Sequence, residues 1–446
     1  MMHIVPPLWM GIPFLVLLIM IAVGPYALPR LWHRLEVLFL IGLSLVTLGG
    51  LCKTLGMQET FHHFFHMLLH EYIPFVMLLS ALYSITMGFR LQLKSVGTPF
   101  KNTLFLGFGA ILASFVGTTG ASMILLRSFL HMNRHRSYQT HSVIFFIFLV
   151  SNIGGCLTPI GDPPLFLGYL NGVEFFWSLQ FLWQPFFVVT ALLLAFYFLL
   201  DGYLYKRDFL IPLVHPEKNG TVFQGKINLL LLAILILLVV GSGTCLRWFP
   251  DLPIITLGEQ HLRIPELVRD GGLCLLTLGA VFLSKHRSTD PKHTFSWSPV
   301  YEVVRIFAAI FTAIIPLNLM LEAGFEGPLS SLLQLTEVSY PALVYFWLTG
   351  LFSAFLDNAP TYLIFFKMAG GDAVTLMTTQ AKVLMAISLG SVFMGAMTYI
   401  GNAPNFMVRS IAKQSGVSMP GFLGYMGWSL VILLPLFLGV SLCLFR

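Results

Sequence analysis

Charge is what this sequence has least of. Asp, Glu, Lys and Arg make up 10% of its 446 residues, where an ordinary soluble protein carries roughly 25%, and that shortage excludes a water-soluble fold of this size. Five cysteines (Cys52, Cys156, Cys245, Cys274, Cys443) are scattered in or beside apolar runs. With no CxxC or Cys/His spacing among them, they outline no metal centre and say nothing of redox compartment. No GxSxG elbow, HExxH helix or P-loop occurs, so hydrolase chemistry and ATP-driven pumping are not expected, and the chain reads as a non-enzyme without a cofactor. The basic residues behind the net charge of +6 fall between hydrophobic runs, so they are no footprint for nucleic acid. No Lys or Arg precedes the apolar run from Leu8 to about Leu28, which favours a retained first span over a cleaved signal peptide.

What is there is apolar: 57% of the residues are hydrophobic and the mean hydropathy is +0.84. A helical span needs about 20 such residues. Spans are expected near residues 8–28, 36–56, 73–89, 142–170, 175–203, 227–247, 266–284, 302–321, 380–402 and 422–444. Two more apolar stretches, 102–130 and 340–368, are broken midway by GTTGAS and DNAPT, whose Gly, Pro, Asp and Asn interrupt helices; these are expected to be re-entrant hairpins. The fold class is therefore an all-α polytopic membrane protein, whose medium is the lipid bilayer of the cell (inner) membrane.

The distribution of charge tests this topology, because a full span reverses the side of every later loop and a hairpin does not. With the amino terminus outside and both stretches as hairpins, 18 of the 25 Lys and Arg fall inside and 7 outside, as the positive-inside rule requires. Both termini are then outside. Only two acids, Asp162 and Asp357, lie within hydrophobic sequence on this reading.

Internal self-similarity gives a second test. TPIGDPPLF (Thr158 to Phe166) aligns with TYIGNAPNF (Thr398 to Phe406) at an offset of 240 residues. The same offset carries Phe115 onto Phe355, the break GTTGA onto DNAPT, and Arg127 onto Lys367. The chain divides into a first half (1–204), an inner-side linker (205–226) and a second half (227–446), each half with five spans and one hairpin. Because five is odd, the repeat is inverted, so the hairpin tips and broken spans should meet near the midplane, where such folds bind their substrates.

The chemistry of the breaks points to a small cation. Irregular backbone at membrane depth is tolerated only against protein or a water-filled cavity. In SNIGGCLTPIGDPP (Ser151 to Pro164) the paired glycines and prolines interrupt the helix and leave carbonyls without donors. Beside them stand Ser151, Asn152, Thr158 and Asp162; in the second half Asp357, Asn358 and Thr361 lie at the hairpin tip, with Thr398, Asn402 and Asn405 on the broken span. Hard oxygen donors of this kind suit hard cations. Na+ held by Asp162, Thr158 and Asn152, and by Asp357, Asn358 and Asn402, is the expected arrangement. A carboxylate in a membrane core is costly unless it is paired or protonated, so Na+ and H+ can compete for it. The symmetry breaks at the charges: Gly117 stands where the other half has Asp357, and Asn402 where it has Asp162.

At these residues the sequence resembles the ion transporter superfamily, which includes D-type sodium/proton antiporters, arsenite permeases, the melanosomal P protein and citrate and dicarboxylate transporters. SNIGGCLTPIGDPP resembles the first broken-span signature of that superfamily. FVGTTGASMILLR, FLDNAPTYLIFF and GAMTYIGNAPNFMV resemble a subgroup labelled sodium:proton antiporter or citrate transporter. The resemblance covers roughly residues 35 to 440. It implies a scaffold that often forms homodimers and a unit of hairpins and broken spans that moves as an elevator. It also adds the tip residues Thr118, Thr119 and Ser122 to the ion-binding positions already named. D-type antiporters place an Asp-Asn pair in the first hairpin, where this chain has Thr118-Thr119, and the Ser-Asn-Thr hairpin motifs of the dicarboxylate branch are absent.

The leading expectation is a secondary Na+/H+ antiporter with Asp162 and Asp357 alternately loaded. The runner-up is a Na+-coupled citrate or dicarboxylate symporter, its anion held by hairpin helix dipoles. No Lys or Arg lies at the breaks. Arg127 and Lys367 stand about ten residues beyond the tips, roughly 15 Å along a helix, and are expected to snorkel at the interface. FHHFFHMLLHEY places His62, His66 and His70 on one helical face. A wet interfacial stripe is the default there, with an external pH sensor or a metal site as alternatives.

Overall fold

The computed structural model describes residues 5–27, 29–93, 95–208, 221–249, 252–287, 296–334 and 338–446. Among them, eight helices are long and apolar enough to cross a membrane: Arg34–Leu55, Met57–Thr86, Pro99–Val116, Thr140–Leu157, Trp177–Lys206, Lys226–Trp248, Ser298–Glu322 and Phe422–Phe445. Shorter apolar helices cover Leu8–Ile21, Pro341–Phe355 and Ala381–Met397. The chain is a multi-pass membrane protein. Burial separates the helices by role, since in an apolar 18-residue stretch of Lys226–Trp248 and of Trp177–Lys206 only 22% and 28% of residues are buried, whereas 94% of Thr140–Leu157 is. An apolar helix covered on every side is a central one, so the broken span of the first half sits at the heart of the bundle.

Both interrupted stretches fold back on themselves. In the first, Pro99–Val116 and Thr118–Met132 are separated by Gly117, whose φ of 79° is open to glycine. Phe105 stacks on Phe129, ring centroids 5.3 Å apart, and Asn102 Nδ2 donates to Asn133 Oδ1 at 2.8 Å, so residues equally far from the break lie side by side. In the second, Pro341–Phe355 and Asn358–Met368 are tied by Tyr345, whose hydroxyl donates to the Met368 carbonyl at 3.2 Å.

The elements recur at the spacing of the sequence repeat. Thr140–Leu149, Ile153–Leu157 and Pro163–Leu170 in one half answer Ala381–Met394, Gly395–Met397 and Ala403–Gln414 in the other. Asp162 and Asn402, the residues before the two final segments, share an extended backbone (φ −145°, ψ 142° and φ −150°, ψ 138°).

Three expectations need correction. First, the all-α chain carries two small sheets in its connections: Arg90–Leu93 pairs antiparallel with Thr221–Gln224, and Ile254–Leu257 with Gln260–Arg263. The first of these sheets joins a loop of the first half to the end of the linker; residues 209–220 of that linker lie outside the described residues. Second, the His-rich segment is not a separate interfacial helix. Met57–Met67 runs through a π-turn, Leu68–Tyr72, straight into Ile73–Thr86. Third, Asp162 and Asp357 are not the only acids in hydrophobic sequence, since Asp201 in Trp177–Lys206 is 0% exposed.

Candidate ion-binding site

The break in the first central span is held open by close backbone packing. A Cβ added to Gly161 would fall closer than 3.0 Å to the Gly155 carbonyl oxygen, and one on Gly401 would meet the Gly395 oxygen in the same way. Two threonines fasten the breaks to the neighbouring hairpins. Thr158 donates its hydroxyl to the Ser114 carbonyl, and Thr398 donates to Ala354 at 2.5 Å. Each hydroxyl also accepts a backbone N–H two residues on, from Ile160 or Ile400. The geometry therefore shows Thr158 and Thr398 bracing the breaks against the hairpins through their hydroxyl hydrogens.

Asp162 is the centre of the site. Its carboxylate is 1% exposed at the residue level and accepts from three neutral donors. Thr118 Oγ1 reaches Oδ1 at 2.9 Å, Asn358 Nδ2 reaches Oδ2 at 2.8 Å, and Asn402 Nδ2 approaches Oδ1 at 3.4 Å. Those donors come from the first hairpin tip, the second hairpin tip and the second broken span, so four interrupted segments converge on one acid. Neutral donors compensate part of the desolvation of a carboxylate but bring no countercharge.

A ladder of buried amides extends from there. Asn402 Nδ2 also lies 3.2 Å from the Asn152 Oδ1 and 3.2 Å from the Ser151 carbonyl. Asn152 Nδ2 donates to Asn405 Oδ1 at 2.7 Å, and Asn405 Nδ2 donates to the Gly395 and Thr398 carbonyls at 2.8 and 2.9 Å. Thus several carbonyls freed by the breaks are satisfied by side-chain amides. Asn358 Oδ1 accepts from Ser353 at 2.7 Å, and the hydroxyls of Ser122 and Ser151 are 2.8 Å apart.

The remaining named residues are placed differently. Asp357 is partly buried and caps Asn358–Met368, its Oδ1 accepting from the Ala359 N–H at 3.2 Å. Thr361 bonds back to the Asp357 carbonyl at 2.9 Å. Asp357 thus serves a helix N-terminus, while its neighbour Asn358 reaches Asp162. Thr119 lines a cavity of about 70 Å³ together with Asp162, Thr118, Leu82, Thr86 and Met123. Among the described residues no Lys, Arg or His lines this cavity.

Sequence reasoning missed Ser114 and Ser353, which sit on the first helix of each hairpin one turn or less before the break, among apolar residues. The repeat does not single them out, since the offset of 240 carries Ser114 onto Ala354 and Ala113 onto Ser353. It also missed a buried ionic cluster at the base of the first hairpin. Asp201 accepts from Arg136 at 2.6 and 2.9 Å, from His141 Nε2 at 2.7 Å and from Asn102 at 3.2 Å.

Of the outlying cations, Arg127 is exposed, and Lys367 is partly buried and paired with the exposed Glu322 at 3.1 Å. The His-rich face binds across to the 254–263 hairpin, with His62 Nδ1 3.1 Å from Glu259 Oε2. Among the described residues no group of three His, Cys, Asp or Glu side chains is arranged to hold a metal.

A family model described as "Putative citrate transport" matches residues 3–445. The chain belongs to this family. No curated protein matches it. A match from end to end fits the duplicated architecture above, since both halves and both breaks fall inside it, and it makes the chain a member of a transport family.

Proposed function

We propose that this family member is a secondary active transporter that exchanges Na+ for H+ at Asp162, with the two hairpins re-entering the membrane from opposite sides. The observation that carries the reading is the Asp162 carboxylate itself, buried, contacted from both halves, and bordering a cavity without a cationic side chain. A site built this way offers an ion one negative charge and a choice of amide and hydroxyl oxygens within reach. Na+ is drawn to the carboxylate, a proton competes for the same oxygens, and one displaces the other.

The contacts between connections support the topology behind this reading. Arg305 pairs with Glu36 and Ser137 with Asp208, all assigned inside. Arg247 pairs with Glu174, His62 with Glu259, and Lys367 with Glu322, all assigned outside. Full spans in place of the hairpins would separate Asn102 from Asn133, which hydrogen-bond to each other.

A second reading, Na+-coupled citrate symport, draws on the family description and on one further observation. A cavity of about 890 Å³ at the far end of the second hairpin is lined by Lys367, Lys382 and Arg446, a basic setting suited to an anion of several charges.

One experiment decides between them. The protein is reconstituted in proteoliposomes loaded with a pH dye, and Na+ and citrate are added separately and together. Na+ alone is expected to move protons, and Asp162→Asn to lose that signal. Proton movement or Na+ uptake that requires citrate transfers the case to symport; an unaltered response in Asp162→Asn removes the site.

A further inference from the structure

Glu71 is a buried acid that the exchange site does not use. It is 8% exposed, and its Oε2 is enclosed without a hydrogen-bond partner among the described residues. It lies in the π-turn Leu68–Tyr72. A π-turn fits an extra residue into one helical turn and rotates the register of the helix beyond it, and such turns concentrate at functional sites. In the helix that continues from it, Phe75, Leu78, Leu79, Leu82 and Thr86 line the cavity beside Asp162. Glu71 thus precedes, on the same continuous helix, the residues that line the cavity beside Asp162.

The charges around Glu71 form a switchable set. Lys367, at the end of the second hairpin, and Glu322, at the end of Ser298–Glu322, are its electrostatic neighbours, and the two are paired with each other at 3.1 Å. Its own helix brings His66, which also faces Lys367, and His70, the two rings 4.7 Å apart. Beyond His70 stand Glu266, Arg263, Arg269 and Asp270. The packed half-helix Pro163–Leu170 contributes no charge. Lys367 ends the helix that begins at Asn358, the residue bonded to Asp162. A displacement of this helix therefore alters the Asn358–Asp162 bond and the electrostatic influence of Lys367 on Glu71 together.

We propose that Glu71 is a second proton-binding group of the transport cycle, which keeps its proton while Lys367 is paired with Glu322 and releases it when Lys367 swings across to Glu71. The unpartnered oxygen matches the protonated arm of this exchange, since an ionised carboxylate enclosed there without a donor is heavily penalised. Release of the proton leaves Glu71 anionic and makes it the better partner for the lysine, which couples proton exit to movement of the second hairpin. The role in transport rests on the reading of the chain as an ion-coupled carrier; the proton site itself does not.

The test is an infrared pH titration of the purified full-length chain in lipid nanodiscs, following the C=O stretch of protonated carboxyl groups. The wild type is expected to lose such a band as pH rises. That component should be missing from Glu71→Gln and retained in Asp162→Asn. Lys367→Met, which removes the competing cation, should move its loss upward by about one pH unit or more. An identical band in Glu71→Gln overturns the proton site, and an unmoved titration in Lys367→Met overturns the exchange of partners. The measurement needs neither Na+ flux nor citrate, so it stands or falls apart from the antiport assay; should Glu71→Gln not fold, the Lys367→Met arm still decides.

Discussion

Replacing Asn358 by alanine isolates the contribution of the second half to the Asp162 site. The amide is fully buried, donates to Asp162 Oδ2 at 2.8 Å and accepts from Ser353 at 2.7 Å. Truncation takes a donor from an ionised carboxylate, a loss of about 1.5–3 kcal/mol for a hydrogen bond to a charged group. It falls on the charged form that Na+ needs. At 1.4 kcal/mol per tenfold, the Na+ concentration for half-maximal exchange should rise about 10- to 150-fold at fixed pH. The assay is the Na+ dependence of dye-reported proton movement in proteoliposomes, with the variant's melting temperature in detergent as a control on folding. Ser353→Ala, which touches the acid only through Asn358, should shift the same curve less. A half-maximal concentration within twofold of wild type, in a folded variant, would refute the placement of the ion at Asp162.

Packing and buried charge give two further expected outcomes. Gly161→Ala drives a methyl against the Gly155 backbone and should cost about 1–3 kcal/mol as overpacking, while Gly241→Ala, in open space within Lys226–Trp248, should gain about 0.5–1 kcal/mol from helix propensity. Denaturation in nanodiscs reads both, and equal effects would refute the tight backbone contact. Arg136→Ala leaves Asp201 with a buried charge short of its strongest partner and should destabilise by about 3–5 kcal/mol. Replacing both residues by apolar ones should recover most of that, measured by thermal melting, and a melting point unchanged in Arg136→Ala would refute a buried pair.

Much of this was legible in the sequence because membrane folds write their constraints in long runs. Hydropathy marked the spans, and the repeat at 240 residues located both breaks, since a helix can be interrupted at depth only where Gly, Pro and short polar residues allow it. The two motifs marked the residues but not their grouping: Asn358 and Asn402 were expected beside Asp357, and in the structure both turn to Asp162. What stayed hidden depends on direction. Nothing in the string tells that Thr158 turns to the Ser114 carbonyl, or that Asp357 caps its own helix while the next residue reaches across. Asp201 was hidden for another reason: five residues from the end of a span it looks like an edge acid, and only the fold of Arg136 and His141 over it encloses it. The π-turn at Leu68–Tyr72 has no compositional mark at all.

The amide ladder limits how the molecule can move. Asn402 and Asn405 of one half grip Ser151 and Asn152 of the other, so hinging the halves apart at the centre, as a rocking carrier does, would strip hydrogen bonds from several groups buried away from water. A motion that leaves those rungs intact must take both interrupted spans along as a single block, with sliding confined to its outer faces against the surrounding helices. The seam of such a machine would then stay shut throughout the stroke.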